Sequence, residues 1–205
     1  MKVTAIKAQV RNHERVSIYV DAKYAFSLTQ DQLLEHKLFS GKELDERTLA
    51  ALKYASDWGK TLERVMNYLM IRPRSEREVR DYLWRKKTEP ELAESVITRL
   101  RTRGYLDDAA FAKSWLQARQ LTKPVSRRRL VAELRQKGVA SEIIERTIAT
   151  EAYDETAALR SIVAKKRKQT RYQDEQKLMQ YLARQGFGYD AIKTALDANA
   201  FDDTA

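Results

Sequence analysis

The sequence predicts a mainly α-helical protein: three tandem three-helix repeats forming an elongated, curved array, preceded by a small N-terminal α+β domain built on a three-stranded antiparallel sheet. Three observations carry this prediction. The 205 residues include only 6 Gly and 3 Pro, too few turn formers for an all-β chain that must reverse about every ten residues. Apolar residues run with a period of two as far as Leu28, then with a helical period from Thr61 onward. The helical part also repeats itself, which is the signature of a modular array.

In the first segment Val3, Ile6, Ala8 and Val10, then Val16, Ile18 and Val20, then Tyr24, Phe26 and Leu28 alternate with polar residues. Polar turns at Asn12-His13-Glu14 and Asp21-Ala22-Lys23 divide them into a three-stranded meander. A sheet of this size needs a cover. Leu33, Leu34 and Leu38 supply one short helical stripe, Gly41 a turn, and Leu44, Leu49, Leu52 and Ala55 a second stripe. Residues 1–58 are expected to form this domain.

The repeats are expected at residues 59–106, 107–153 and 154–205. Their first helices carry Leu62 and Met66, Phe111 and Trp115, and Ala158 and Ile162. Their second helices carry Val79 and Leu83 after Ser75, Leu130 and Leu134 after Ser126, and Leu178 and Leu182 after Asp174, each start residue being a favourable N-cap. Their third helices carry Val96 and Leu100, Ile144 and Ile148, and Ile192 and Leu196, each followed five residues later by an aromatic: Tyr105, Tyr153, Phe201. Ser75-Glu76-Arg77-Glu78 reads as a capping box. Gly104, Gly138 and Gly186 stand where a helix must stop and φ turns positive. Asp107, Asp154 and Asp202 follow the aromatics as caps or turn formers. Stability in such a stack comes from each unit and from its neighbours.

Chemistry for an enzyme is absent from the pattern. The chain has no cysteine and two histidines, His13 in a turn and His36 on a polar helix face, neither spaced from carboxylates as a helical metal site would be. No glycine-rich phosphate cradle occurs. The acid pairs Asp107-Asp108 and Asp202-Asp203 are explained by capping; an enzyme using them would lose activity on Asp107→Asn without unfolding. No catalytic residue, metal or cofactor is expected. No run approaches the length of a membrane span or forms a signal-peptide core, so a cytoplasmic protein without a membrane partner is expected.

Charge points to a polyanion. There are 39 Lys and Arg against 29 Asp and Glu, a net charge of +10. Residues 59–106 carry 12 basic against 7 acidic residues and 107–153 carry 9 against 6, whereas the flanking segments each carry 9 against 8. Arg72, Arg74, Arg77 and Arg80 surround the start of the first repeat's second helix, with Trp84 on the face of Arg77 and Arg80. Trp84 has two readings, a stacking contact for a partner or packing on the neighbouring repeat. Lys123, Arg127, Arg128 and Arg129 occupy the same place in the second repeat, where cations oppose the helix dipole. Arg129 faces away from Arg128, and solubility is an alternative role for this run. Lys165, Lys166, Arg167, Lys168 and Arg171 are expected in the loop between the third repeat's first two helices, as a third basic stretch or as a solvated loop.

Two stretches, Arg72-Pro73-Arg74-Ser75-Glu76-Arg77-Glu78-Val79-Arg80-Asp81-Tyr82-Leu83 and Gly104-Tyr105-Leu106-Asp107-Asp108-Ala109-Ala110-Phe111-Ala112, resemble the signature segments of the RecX regulatory proteins. Lys137-Gly138-Val139 with Glu142-Ile143-Ile144 is similar to that family's second unit, and Gln185-Gly186-Phe187-Gly188-Tyr189-Asp190-Ala191-Ile192 to its third. Val20 to Leu28, with Gly41-Lys42-Glu43-Leu44, is similar to the N-terminal extension of some members. One departure stands out: Thr88 to Pro90 replace the Lys-Gly turn of the second unit. The resemblance implies a bacterial cytosolic protein that binds the RecA filament on single-stranded DNA and suppresses RecA's ATPase, strand exchange and stimulated cleavage of the SOS repressor. The implied partners are RecA and single-stranded DNA, with double-stranded DNA as a further polyanion, engaged by a monomer. The alternative is a sequence-nonspecific nucleic-acid-binding protein that acts without RecA.

Overall fold

The computed structural model describes residues 1–10 and 12–202, with side chains as far as Asp197. Three strands, β1 (Val3–Ala8), β2 (Arg15–Val20) and β3 (Lys23–Thr29), form an antiparallel sheet in the order β1-β2-β3. Among the described residues ten α-helices follow: α1 (Gln30–Glu35), α2 (Glu46–Ile71), α3 (Glu76–Arg85), α4 (Pro90–Thr102), α5 (Asp108–Thr122), α6 (Arg127–Gln136), α7 (Ser141–Thr150), α8 (Glu155–Arg167), α9 (Glu175–Arg184) and α10 (Tyr189–Asp202). They make two compact bodies. One holds residues 1–72 and 83–99, the other residues 73–82 and 100 onward.

The first body is built on the sheet. Val3, Val16, Ile18, Val20, Phe26 and Leu28 pack with Leu38, Leu44 and Leu52 into one core. The β2–β3 turn needs only Asp21 and Ala22, both at positive φ, the conformation that matches strand twist in a two-residue hairpin. Four expected core positions are corrected, the first being Ala8, exposed at the end of β1. Val10 lies beyond β1 and is 88% exposed. Tyr24 is also exposed, because the register shifts between Ile18 and Tyr19 and turns Tyr24 outward against Tyr19, edge to face at 6.1 Å. Leu34 is exposed as well, because Leu33, about 100° round the helix, takes the place against the core.

β3 is an edge strand, and an unsatisfied edge invites pairing with other chains. Here α2 covers it: the Ser56 hydroxyl donates to the Ser27 carbonyl at 2.6 Å and accepts the Ser27 amide at 3.3 Å. Arg15, 5% exposed, donates to the same carbonyl and pairs with Glu63 of α2. The helix runs unbroken through Gly59, so the second stripe of the N-terminal segment and the first helix of the first repeat are one element. Its buried positions there are Thr61 and Val65, with Leu62 and Met66 half-buried beside them.

In the second body two three-helix cores correspond position by position. Ala112, Leu116, Leu130, Leu134, Val139, Ile144 and Ile148 close α5, α6 and α7; Leu159, Val163, Leu178, Leu182, Phe187, Ile192 and Leu196 close α8, α9 and α10. The paired apolar residues expected on every second and third helix are all buried, Val79, Leu83, Val96 and Leu100 included. The junction aromatics Tyr105 and Tyr153 differ from one another. Tyr105 is 57% exposed, and the adjacent Leu106 takes the buried place. Tyr153 is half-buried with its hydroxyl on the Val125 backbone, and burial pushes its pKa up. The Phe201 side chain lies outside the described residues, as does Asp203.

Candidate functional site

Most of the basic residues singled out by the sequence lie around two joints between successive repeats. Ser75 caps α3: its hydroxyl oxygen accepts the Glu78 amide at 3.2 Å, and the Glu78 carboxylate returns to the Ser75 amide. The same hydroxyl donates at 2.6 Å to the carbonyl of Lys137, which closes α6. One repeat later Ser126 caps α6 through the Arg129 amide and donates at 2.7 Å to the carbonyl of Gln185, which closes α9. The start of each second helix thus rests on the end of the next one, the positive end of one helix dipole against the negative end of another.

Two further contacts recur. The Glu76 amide donates to Asp108 at 2.9 Å, and the Arg127 amide to Glu155 at 2.9 Å. Each carboxylate belongs to the first residue of the following repeat's opening helix, and Glu155 supplies the anion that the Arg-rich start of α6 lacks. Desolvation, followed by smaller repulsion from Glu76 and Asp107, raises the Asp108 pKa against the opposing Glu76 amide. Asp107 caps α5 through Ala109 and Ala110. Both acids of the pair are therefore occupied by backbone amides, as capping predicts.

Gly138 and Gly186 follow these closing residues at φ +81° and +91°. A Cβ at Gly138 would lie 2.5 Å from the Arg77 Cβ, and one at Gly186 would lie 2.7 Å from the Ser126 hydroxyl. At the end of α3 the positive-φ place is held by Lys87, φ +54°, and the Thr88 amide reaches back to Leu83 as Val139 does to Leu134. The turn that the sequence places at Thr88 to Pro90 is therefore made at Lys87, whose exposed position accommodates a side chain.

The first basic cluster is largely committed within the protein. Arg72 closes α2 and is half-buried, as is Arg74; Arg77 lies across Gly138. Arg80 pairs with Glu76 at 2.9 Å, and Arg101, which the sequence reading missed, grips the same carboxylate with two nitrogens. Trp84 is 80% exposed. Its reading as a residue packed on the neighbouring repeat is therefore not met.

In the second body Lys123, Lys165 and Lys166 come together around one hollow with Tyr181 and Gln185. Arg127 and Arg128 line another with Arg135, Gly186 and Gly188. Arg129 turns away from both neighbours to Glu133 and the Gln185 side chain. Glu133 also binds Arg119 at 2.8 Å and the Trp115 indole N–H at 3.1 Å, with Arg119 and Lys137 over the Trp115 ring. Lys165, Lys166 and Arg167 form the last turn of α8 rather than a loop, a placement the helix dipole favours. Lys168 closes that helix, and Arg171 lies in a short 3-10 turn (Thr170–Tyr172). The Lys166 ammonium sits 4.7 Å from the Tyr181 ring centroid and 5.1 Å from that of Tyr172. Arg135 carries no turn or cap signal and was legible only as a polar position of α6.

Among the described residues no group of three metal-ligating side chains converges, and no helix is long and apolar enough to cross a membrane. His13 and His36 are both exposed.

Comparison with known proteins agrees with this architecture. Residues 1–45 match the regulatory protein RecX N-terminal domain, and residues 62–100, 107–148 and 153–196 match the first, second and third RecX three-helix domains. Regulatory protein RecX of Bacillus licheniformis is 32% identical over 205 residues, covering 98% of this chain and 78% of that protein. Its counterpart in Listeria monocytogenes is 33% identical over 201 residues, covering 95% and 74%. A crystal structure of regulatory protein RecX superposes with a TM-score of 0.74 at 29% identity over 96% of this chain and 98% of that one. The RecX structure from Lactobacillus salivarius, at 22% identity and a TM-score of 0.61 over 70% and 97%, shares the fold. With its N-terminal domain and all three helical domains matched in order, the chain belongs to the RecX family of regulatory proteins.

Proposed function

We infer that this protein regulates homologous recombination and the SOS response by binding the RecA filament on single-stranded DNA. It inhibits RecA's ATPase, strand exchange and coprotease activities by obstruction, without chemistry of its own. The observation that carries this reading is the ordered match of all four RecX domains along one chain. Membership in a family of regulators supports a non-enzymatic, cytoplasmic role, and a net charge of +10 suits a polyanionic assembly. The repeats of one monomer span more than one RecA protomer, and their exposed cations face DNA or an acidic protein surface. Occupying the groove in this way competes with a second DNA or with the repressor.

The test is RecA ATPase on single-stranded DNA with this protein titrated in below RecA stoichiometry. Inhibition is expected, and its absence removes the reading. Binding to bare strands at physiological salt as tight as binding to filaments favours instead a nucleic-acid-binding protein that works alone.

A further inference from the structure

The two joints are built alike but charged differently. Counting from the capping serines, Glu76, Arg77, Glu78 and Trp84 of α3 correspond to Arg127, Arg128, Arg129 and Arg135 of α6. At the first joint Glu76 neutralises Arg80 and Arg101, and Glu78 pairs with Lys137 at 2.7 Å. At the second both acids are replaced by arginines. The same serine and carboxylate contacts close both joints; at the second, Arg129 adds a bond to the Gln185 side chain, whereas among the described residues the Arg127 guanidinium adds none.

Of the two arginines that replace the acids, Arg129 turns to Glu133 and Gln185, while Arg127 joins Arg128 and Arg135 on one surface. Arg127, Arg128 and Arg135 line an open hollow of about 590 Å³, and among the described residues none of the three guanidiniums has a hydrogen-bond or ion-pair partner. One carboxylate is present, Glu155, and it is engaged by the Arg127 amide. The stem of Arg128 passes beside Gly186, where a Cβ would meet its own Cβ at 3.6 Å, and a Cβ at Gly188 would meet nothing within 4 Å. At Gly188 the wall of the hollow is therefore bare backbone. Mutual repulsion among like charges is relieved when an anion lies between them, and guanidinium forks match phosphate oxygens.

A second cationic hollow flanks the same helix end, walled by Gln185 as the first is walled by Gly186. It adds Lys123, Lys165 and Lys166 together with the Tyr181 ring. Cations interleaved with an aromatic face suit a single strand, whose phosphates and unstacked bases need both. We propose that the joint between the second and third repeats is the protein's strand-binding site. There Arg127, Arg128 and Arg135 hold the phosphates of single-stranded nucleic acid, and the Tyr181 hollow takes the adjoining nucleotides. The first joint, where Glu76 and Glu78 hold Arg80, Arg101 and Lys137, contributes less. This deepens the functional reading above and rests on its premise that the target includes a DNA strand.

The test uses the full chain and a fluorescent oligothymidylate, titrated over a range of salt concentrations without RecA. Arg127→Ala/Arg128→Ala/Arg135→Ala is compared with Arg101→Ala/Lys113→Ala/Lys177→Ala, which removes the same charge from groups already held in ion pairs. The joint variant is expected to lose about ten-fold or more in affinity. Its log-log salt slope should fall by about 2, some ~0.7 for each of three phosphates. The matched control should change less than about three-fold, and Glu76→Gln, which releases Arg80 and Arg101, should bind more tightly. Arg127→Lys/Arg128→Lys/Arg135→Lys should keep the slope, separating charge from folding. Equal losses in the two alanine triples, or no oligothymidylate binding by the unaltered protein, overturns the proposal. So does a joint variant that binds the strand normally but no longer binds RecA, which assigns the arginines to an acidic protein surface. RecA ATPase measured on the same preparations reads the functional proposal separately: strand binding through the joint with no ATPase inhibition sinks that reading and leaves this one standing.

Discussion

The Ser75 hydroxyl and the Lys137 carbonyl, 62 positions apart in the chain, are joined by a 2.6 Å hydrogen bond. Ser75 is fully buried and its oxygen also accepts the Glu78 amide, so one side chain both starts a helix and fastens it to the next repeat. Ser75→Ala removes both functions and leaves the Lys137 carbonyl without this donor. A loss of about 2 kcal/mol is expected, with a similar loss for Ser126→Ala, measured by urea unfolding followed by circular dichroism. A change below about 0.5 kcal/mol at both positions contradicts the joint as described.

The positive-φ residues should rank by what surrounds them. Gly104→Ala meets open space and should cost only the left-handed penalty of about 1 kcal/mol. Gly138→Ala should cost clearly more, since the new Cβ collides with the Arg77 stem rather than with a mobile tip. Lys87→Gly relieves the same backbone penalty at an exposed site and should be neutral or stabilising by up to about 1 kcal/mol. Thermal midpoints of the three variants give the ranking directly, and a reversed order of the two alanines refutes it.

Asp108 supplies a pH signature. Its pKa is raised in the fold by desolvation, so the folded state holds a proton that the unfolded chain has released. Stability therefore falls as pH rises from the ordinary aspartate value, about 4, to the higher pH at which Asp108 ionises in the fold, and is then level. Asp45, Glu151 and Asp174 act in the opposite sense: hydrogen bonds to their charged forms lower their pKa values, and their contribution is lost as pH falls through the folded values. Asp108→Asn should keep an acceptor for the Glu76 amide and remove the first effect alone. Its stability relative to the unaltered protein should be greater at pH 7 than at pH 3, as read by urea unfolding at the two pH values.

Trp84 offers a test of surface against core. At 80% exposure, Trp84→Ala should change unfolding stability by less than about 0.5 kcal/mol. If the residue meets a partner, the same variant should weaken inhibition of RecA ATPase. A large stability loss would place the ring in the core.

Much of the fold was legible because repetition lets each signal be read more than once. Ser75, Ser126 and Asp174 are caps by residue type and by position, and each cap bond forms. Gly138 and Gly186 take the predicted positive φ. The second- and third-helix apolar pairs sit where periodicity puts them. First helices were harder: in α5 and α8 the expected leading pair is only partly enclosed at Trp115 and Ile162, while Leu116 and Val163 beside them are fully buried. Neighbouring apolar residues compete there, and local pattern does not choose between them.

The candidate site was legible as composition but not as grouping. Arg80 and Arg127 look equivalent in a list of cations, yet one is paired with Glu76 and the other lines an open hollow. Arg135 has no motif around it, and Arg101 is 25 positions from the carboxylate it grips.

The sequence by itself therefore determined the repeat unit, the caps of its second helices and the family, because periodicity, caps and glycine turns act between residues within a turn or two of one another. Tertiary structure alone decided which charges are satisfied. That depends on carboxylates delivered by a neighbouring repeat, as Glu78 is to Lys137, and a Coulomb interaction is set by distance in space rather than along the chain.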